Sequence, residues 1–493
     1  MSDPRPDPTA LLALPLELCA RIQASMDAGF NASLIARAEA IAPKQFDAVR
    51  LPLVHAWLQH LPEPAAVWAR LFAYRDAVDE PLARSVLGEA LIQALKSANA
   101  LQSTNGQLRA SLRLMPFAGL LLGSDEVDAR FDPVMGPGAT TFELWRAVEI
   151  SDSPRVLDIG CGAGSLALAA ARAGAREVVG VDLDPRAVAY ARFNAKLNGI
   201  SNARFEAGDL SAPVAGQRFE LIVSQPPFVT QPASVAATTY LHGGRRGDEL
   251  ALRMLSELPP LLGERGRAIA LFDSADDEAL IDRLTAAVND PTLRIIAVAA
   301  KGLGADQQAL GYASTSHSKL GPDYAAAAIA YREHLRELGI ERTRHVLVLV
   351  ERPDSDGAPR FSARVDTDGA RLHDAAALTQ LRRALDAAAL PDAALLQLSV
   401  RPSPHALFVH ERSLAGTCDD RLRIRFEGGH ASDRELSEAA AALIEILAQT
   451  HTLTEAVEHY AQMCRATPEQ VAASVARFVR ESLVNGLLVL ERQ

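Results

Sequence analysis

The sequence lacks the features that mark membrane and disulfide-stabilised proteins. Its 493 residues contain no apolar run of about 18 residues, so no membrane-spanning helix is expected. Residues 1–8 are polar and rich in proline, and we expect a disordered tail there rather than a signal peptide. The cysteines have neither metal-ligand spacing nor a disulfide framework, which favours a cytoplasmic location; they are Cys19, Cys161, Cys418 and Cys464.

Aromatic residues and positive charge are also scarce. Aromatic side chains make up 5% of the chain, and 50 Lys and Arg residues face 61 Asp and Glu residues, for a net charge of −11. This balance argues against a protein that coats nucleic acid broadly, although it does not exclude a local basic patch. Hydrophobic residues make up 48%, which is enough for a core, and the length predicts two to four domains.

The central segment, residues 156–228, has the alternating strands and helices of an open α/β sheet. An apolar strand ends at Asp158, a glycine-rich loop follows, and a helix is predicted over residues 166–173. A second apolar strand ends at Asp182, and Asp209 follows the third. Acids at the carboxyl ends of successive strands predict a site for a nucleoside-like ligand.

The spacing of the glycines indicates which ligand this is. A dinucleotide-binding loop has glycines at its first, third and sixth positions. Here Gly160, Gly162 and Gly164 occupy the first, third and fifth positions, and Ser165 occupies the sixth. An ionised Asp158 two residues earlier would repel a pyrophosphate, and it suits a ligand with an ammonium group.

This loop resembles motif I of the class I S-adenosylmethionine (SAM)-dependent methyltransferases. The resemblance implies that the loop passes under the methionine end of SAM, that Asp182 binds the ribose hydroxyls and that Asp209 holds the adenine amino group. Three acids at three strand ends make it more specific than the glycines alone. The implied cofactor-binding residues are Asp158, Gly160, Gly162, Gly164, Asp182, Asp209, Leu210 and Ser224.

The next motif, Gln225-Pro226-Pro227-Phe228, resembles the Asn/Asp-Pro-Pro-Tyr/Phe motif of the small-methyltransferase type. The resemblance implies that the side chain of Gln225 and the carbonyl of Pro226 accept hydrogen bonds from the acceptor NH₂, and that Phe228 packs on a planar acceptor. Gln in place of Asn or Asp moves the accepting oxygen by ~1 Å, a displacement that can lower a rate about a hundredfold. Alternatively, Pro-Pro-Phe is only a strand-ending turn.

The resulting hypothesis is a SAM-dependent N-methyltransferase. Its acceptor is left open among a protein glutamine amide, a nucleic-acid base and a small molecule, and so is its oligomeric state. The acidic balance favours a protein or small-molecule acceptor, whereas Phe228 favours a base. The alternative is a SAM-binding regulator or interaction module in which Gln225 marks lost catalysis.

The predicted fold is a Rossmann-like, seven-stranded methyltransferase sheet flanked by winged-helix-like domains. The domains are residues 1–130, with a β-hairpin of residues 107–115 and 118–122, then 131–352, and 360–493. Residues 1–130 hold 12 Lys and Arg against 14 Asp and Glu, and residues 431–493 hold 5 against 9. These counts favour docking over nucleic-acid binding for both flanks.

The resemblance implies that the seventh strand is a reversed edge strand. The predicted strands are residues 155–159, 177–181, 203–207, 221–224, 268–272, 293–299 and 345–351. Two further segments are open to two interpretations each. Thr140 and Thr141 either contact the cofactor or cap a helix that begins at Phe142. Residues 302–339 form an insertion that is either a lid or a packing helix.

Overall fold

The computed structural model describes most of the chain as two compact units. The described residues are 5–41, 47–126, 132–317, 320–353, 359–367, 374–412, 421–427 and 433–491. The first unit comprises Met1–Trp145, Ile150–Leu293 and Gly302–Arg352, and the second comprises Arg146–Glu149, Arg294–Lys301 and Pro353–Gln493. Most of the segment between the second and third predicted domains, residues 353–359, lies outside the described residues, and the three-domain division stays a prediction. Within the described ranges, no helix is long and apolar enough to cross a membrane.

The amino-terminal region of the first unit is mainly helical. Its elements are α1 (Pro8–Leu12), α2 (Leu16–Asp27), α3 (Ala32–Glu39), α4 (Asp47–Leu58), α5 (Glu63–Trp68), β1 (Val78–Asp79), α6 (Glu80–Leu87), α7 (Glu89–Ser97), β2 (Leu101–Thr104), β3 (Gln107–Ala110), β4 (Leu112–Phe117) and β5 (Leu120–Asp125). Asp7 accepts from the backbone N–H groups of Thr9 and Ala10 and so caps α1. The expected disorder is therefore wrong for residues 5–8, and residues 1–4 lie outside the described part.

The predicted hairpin of residues 107–115 and 118–122 is confirmed only in part, since residues 112–115 pair with the following strand and residues 107–110 do not. Asn105 and Gly106 both have positive φ, 53° and 77°, and their tight turn pairs β2 with β3. The strand is interrupted at Ser111, and β4 pairs separately with β5. Asn105 and Gly106 thus form the turn of a separate β2–β3 hairpin, and residues 107–115 do not form one strand. Winged-helix character remains a prediction for both ends of the chain.

The elements that follow alternate between strands and helices. They are α8 (Ala139–Ala147), β6 (Arg155–Ile159), α9 (Ser165–Arg172), β7 (Glu177–Asp182), α10 (Pro185–Leu197), β8 (Ala203–Ala207), β9 (Phe219–Ser224), β10 (Val229–Thr230), β11 (His242–Gly244), α11 (Glu249–Ser256), β12 (Leu262–Ala275), α12 (Leu280–Val288), β13 (Arg294–Ala299), β14 (Leu303–Gly304), α13 (Ala305–Ser316), α14 (Pro322–Glu337) and β15 (Arg342–Glu351). The insertion of residues 302–339 thus contains two helices, α13 and α14, where a single packing helix was one of the two interpretations.

The sheet of the first unit has the strand order β15-β12-β9-β6-β7-β8. The five strands from β12 to β8 are parallel, and β15 runs antiparallel to β12, which confirms the reversed final strand. Because the parallel strands are buried on both faces, their sequences are almost continuously apolar. The carboxyl ends of β7, β6, β9 and β12 therefore meet at one edge, where the polar side chains lie.

The second unit contains β13 and the remaining elements. They are β16 (Ser362–Asp366), α15 (Ala375–Ala388), α16 (Asp392–Leu395), β17 (Val400–Pro402), β18 (Ala406–Glu411), β19 (Arg421–Phe426), β20 (Arg434–Leu436), α17 (Glu438–Gln449), α18 (Leu453–Cys464), α19 (Pro468–Val484) and β21 (Leu488–Leu490). β13 pairs in parallel with β16. The sequence of residues 393–401 predicts a strand, which is wrong: the short helix α16 follows Pro391, and only Val400–Pro402 is extended.

Asn194 of α10 and Asn198, the residue directly after this helix, satisfy the backbone of β5. The side-chain amide of Asn194 accepts from Gly123 N at 2.7 Å and donates to Gly123 O and to Ala163 O, each at 2.8 Å. Asn198 bonds in the same way to the N–H and C=O groups of Leu121, at 3.0 and 2.9 Å. The two amides occupy the edge of β5 that a further strand would otherwise pair with. Asn194 also fixes the glycine-rich loop, through Ala163, against the amino-terminal region.

We predict that Asn194→Ala lowers the free energy of unfolding by about 3 kcal/mol, because it leaves three buried backbone groups without partners. Urea unfolding followed by circular dichroism measures this change. Gln102→Ala, on the exposed face of β2, is the control and should shift the value by less than about 0.5 kcal/mol. Equal midpoints for the two variants would contradict the role given to Asn194.

Candidate functional site

A cavity of about 280 Å³ opens at the shared edge of the parallel strands. Every predicted site residue except Gly164 lines it, namely Asp158, Gly160, Gly162, Asp182, Asp209, Leu210, Ser224, Gln225, Pro226 and Phe228. The residues predicted for the cofactor and those predicted for the methyl acceptor thus surround one space.

The glycine loop turns sharply between β6 and α9. The N–H groups of Gly160 and Cys161 donate to Val181 O at 2.8 and 3.0 Å, which ties the loop to β7. Gly164 lies outside the lining and caps α9 with a φ of +83°. A Cβ atom on Gly164 would lie 3.0 Å from Ala191 Cβ, so this glycine permits the close approach of α10. The structure gives Gly164 a packing role in place of the expected cofactor contact.

Asp158 is a buried carboxylate that is only half satisfied. Its side chain is 1% exposed, and Oδ2 accepts from Ala167 N at 2.9 Å. Oδ1 is buried and has no hydrogen-bond partner among the described residues. Burial, together with the nearby charge of Asp182, raises the pKa of Asp158 to about 7. A cationic group placed beside Oδ1 would compensate this buried charge, so Asp158 suits an ammonium ligand.

Asp182 is held in place from both sides. Oδ2 accepts from Gly162 N at 2.7 Å, and Oδ1 accepts from Asp184 N at 2.9 Å. Burial raises its pKa above the usual range of an aspartate. The carboxylate keeps free lone pairs, since each oxygen can accept more than one hydrogen bond. It is therefore a fixed acceptor for hydroxyl groups.

Asp209 and Leu210 lie at the mouth of the cavity. Asp209 is exposed and forms an ion pair with Arg253. Leu210 has a φ of +44°, in the left-handed region that side chains other than glycine rarely adopt. Backbone strain of this kind persists where the surrounding structure imposes it, often at ligand sites.

Gln225 is held by the two threonines of α8. Thr141 Oγ1 donates to Gln225 Oε1 at 2.9 Å, and Gln225 Nε2 donates to Thr140 Oγ1. The threonines lie in the first turn of α8, which begins before the predicted start at Phe142. Their hydroxyls therefore orient Gln225, a contact that neither of the two sequence interpretations included. Next to it, Ser224 Oγ donates to Ile159 O at 2.7 Å and ties β9 to β6.

The cavity is also lined, near Phe228, by residues that sequence reasoning missed. Tyr240 and Thr315 line it together with Phe228. The hydroxyl of Tyr240 is buried without a partner among the described residues, and burial raises its pKa to about 12. Thr315 belongs to α13, whose apolar residues Ala309 and Tyr312 pack with Phe228 in one cluster. The spacing of these residues was a helical signal in the insertion, but nothing in the sequence singled out Tyr240.

Comparisons with known proteins agree with this geometry. Residues 140–242 match the family model described as the methyltransferase small domain. This segment is therefore similar to the methyltransferase small domain. S-adenosylmethionine is the cofactor of this family, and the residues present fit it: the unpartnered oxygen of Asp158 suits the amino group, and Asp182 suits the ribose hydroxyls.

Similar curated proteins share only part of the chain. A protein named for N5-glutamine methyltransferase activity in Methanocaldococcus jannaschii is 37% identical over 124 residues, which are 24% of this chain and 61% of that protein. The ribosomal protein L11 methyltransferase of Dechloromonas aromatica is 44% identical over 108 residues, 22% of this chain and 34% of that protein. The crystal structure of a ribosomal protein L11 methylase from Lactobacillus delbrueckii subsp. bulgaricus is 25% identical, with a TM-score of 0.24, over 31% of this chain and 66% of that one.

We predict that SAM binds more tightly as the pH rises from about 5.5 to about 7.5, because Asp158 loses its proton in this range and then pairs with the ammonium group. Asp158→Asn should weaken binding at the upper pH by about ten- to a hundredfold and remove most of the pH dependence. Isothermal titration calorimetry measures both effects. Asp152→Asn, on an exposed loop, is the matched control, and an Asp158→Asn variant that kept the wild-type pH dependence would contradict the assignment.

Proposed function

We propose that this protein is a SAM-dependent N-methyltransferase that transfers a methyl group to an amide or exocyclic amine nitrogen. The observation that carries the proposal is the single cavity in which the cofactor-type carboxylates and the Gln225-to-Phe228 motif face each other. The domain match covers both sets of residues.

The cofactor-binding roles follow from the chemistry of each carboxylate. Asp158 accepts from the ammonium group of the methionine portion, and Asp182 from the ribose hydroxyls. Asp209 accepts from the adenine amino group at the mouth of the cavity. Gly160, Gly162, Leu210 and Ser224 provide the backbone surface between these points, and Gly164 supports that surface from outside. The sulfonium supplies a methyl group that is already activated toward nucleophiles.

The acceptor nitrogen is positioned by the loop that follows β9. Gln225 Oε1 and the carbonyl of Pro226 accept from the two N–H bonds, which frees the nitrogen lone pair to attack the methyl carbon in line. The sulfonium would be left as a neutral thioether once its S–C bond to the methyl group breaks, and the nitrogen would release its proton to solvent. Phe228 packs against the planar acceptor.

Thr140 and Thr141 make Gln225 suitable for this role. An amide oxygen has two lone pairs, so Oε1 can accept from Thr141 and from the acceptor together. Holding the longer side chain by two hydroxyl groups fixes its rotamer, which a free glutamine would lose entropy to adopt. The extra methylene is thereby accommodated by contacts from α8.

The acceptor that we favour is a glutamine amide in a protein. The net charge of −11 disfavours a nucleic-acid acceptor, and the relative from M. jannaschii is named for glutamine methylation. A nucleic-acid base and a small molecule are the other acceptors to be tested. We propose a cytoplasmic location and a protein-docking role for the flanking regions, whose acidic residues outnumber the basic ones.

A SAM-binding regulator is the second candidate function. The observation that favours it is that both the oxygen and the nitrogen of the Gln225 amide already have partners within the chain. In that case the cavity binds SAM without transferring its methyl group, and the flanking regions carry the activity.

Transfer of a labelled methyl group from SAM to a fractionated cell extract distinguishes the two functions. We expect label in the protein fraction. Label in RNA or DNA, or in small molecules, would correct the acceptor class while supporting the enzyme. SAM binding measured by calorimetry, without transfer to any fraction, would favour the regulator.

We predict that Gln225→Ala lowers transfer at least about a hundredfold, because the acceptor nitrogen loses one of its two hydrogen-bond acceptors, while the affinity for SAM changes less than about twofold. Joint replacement of Thr140 and Thr141 by valine should lower transfer about tenfold, because it releases Gln225 without removing it. Filter-binding assays of transfer and calorimetry of SAM binding provide the two readouts.

Gln225→Asn tests the length of the side chain. Asparagine is one methylene shorter, so we expect it to lose the threonine contacts and to transfer more slowly than the wild type. Full activity of Gln225→Asn would show that the longer side chain is not required.

A further inference from the structure

Asp273 and His345 form a pair at the ligand edge of the sheet that the mechanism above does not use. They lie directly opposite each other in the antiparallel register of β12 and β15, so their side chains share one face. Asp273 lies three residues beyond Ala270, which pairs with Ser224 at the end of β9. The pair therefore belongs to the same edge as Gln225, one strand further along the sheet.

Asp273 is a buried carboxylate with partners from two elements. Its side chain is 3% exposed, and it forms an ion pair with Nδ1 of His345. Oδ2 accepts from Gln308 Nε2 at 2.9 Å and from the Tyr312 hydroxyl at 3.0 Å, both on α13. The carboxylate thus has no direct access to a ligand, and it fixes the orientation of the imidazole.

His345 is the more exposed member of the pair. Its side chain is 37% exposed, and its ring lies edge-on to that of Phe228, with 6.1 Å between the centroids and 80° between the planes. No described residue forms a hydrogen bond with its Nε2. A ring nitrogen that carries a proton in the imidazolium form therefore lies beside the aromatic ring proposed to pack on the acceptor.

We infer that His345 is an acceptor-binding residue, whose Nε2–H donates to an oxygen of the methyl acceptor beside Phe228. The inference rests on the proposed methyltransferase function and narrows its acceptor class. It selects acceptors that present a carboxylate or an amide oxygen near the reacting nitrogen, and it disfavours acceptors that carry an ammonium group there.

The charges around the imidazole favour its protonated form. Asp273 of β12 raises the pKa of His345 to about 9, Glu143 of α8 adds to the effect, and burial opposes it. Tyr312 of α13 also faces Asp273, as a neutral hydroxyl whose pKa is raised far above its usual range. The imidazolium is therefore present at neutral pH and loses its charge as the pH rises through about 9. Because Nδ1 faces Asp273, Nε2 carries a proton only in the imidazolium, which donates a charge-assisted hydrogen bond to an oxygen and repels an ammonium group.

The binding test uses small probes and does not depend on knowing the acceptor. NMR follows the Cε1–H resonance of His345, assigned with His345→Gln, in protein saturated with S-adenosylhomocysteine at about pH 7. Acetate and acetamide test a carboxylate and an amide oxygen, and methylammonium tests a cation. We expect a saturable shift with acetate, acetamide or both, and none with methylammonium. No saturable shift with either oxygen probe would overturn the inference.

The second test measures the rate of methyl transfer as a function of pH. Its substrate is the fraction of cell extract that accepts the label. We expect wild-type transfer to fall as the pH rises through about 9, and Asp273→Asn should move this fall toward about pH 6.5, the ordinary pKa of histidine. His345→Gln should remove this fall in transfer at high pH. It should also raise the KM for the acceptor about tenfold, with the affinity for SAM unchanged. His60→Gln, at an exposed position after α4, is the control.

Two outcomes separate this inference from the proposed function. Wild-type protein that binds SAM and transfers no label contradicts the enzyme, and the NMR probes then decide the role of His345 alone. A His345→Gln variant with the wild-type pH profile and KM overturns the inference and leaves the methyltransferase proposal intact.

Discussion

The site depends on one constraint, namely that the carboxyl ends of neighbouring parallel strands lie at a single edge of the sheet. Residues far apart in the chain, such as Asp182, Gln225 and Asp273, therefore end their strands side by side. The order β7-β6-β9-β12 places them in a row, with the carboxylate of Asp182 at one end and the Asp273–His345 pair toward the other. A cofactor and an acceptor can then meet above the middle strands, near Ser224 and Gln225.

The predictable parts of this site are the residues that belong to short sequence motifs. Asp158 and Gly160 are two residues apart, and Asp182 directly ends an apolar strand, so the sequence locates each of them without knowledge of tertiary structure. The same holds for the sheet, because its buried strands are apolar runs separated by helical periodicity. Gly164 lies in the predicted motif, but its packing against Ala191 could only be seen once α10 was in place.

The parts that were not predictable are contacts between distant segments. Thr141 and Gln225 are 84 residues apart, and nothing in either segment indicates the hydrogen bond between them. His345 lies in an apolar strand and resembles an ordinary exposed position until its register with Asp273 is known. Helix α13 was missed because its glycine and short polar residues weaken the helical pattern, and because its stability comes from packing against α14 and Phe228.

The asparagine contacts of β5 have a consequence for how the chain folds during synthesis. Gly123 and Leu121 are hydrogen-bonded to residues 71 and 77 positions later in the chain. Until the ribosome has released α10, this strand has an open edge that can pair with another nascent chain. The amino-terminal region can therefore form all its native hydrogen bonds only after α10 has been synthesised. Its assembly is governed by long-range contacts, which form slowly.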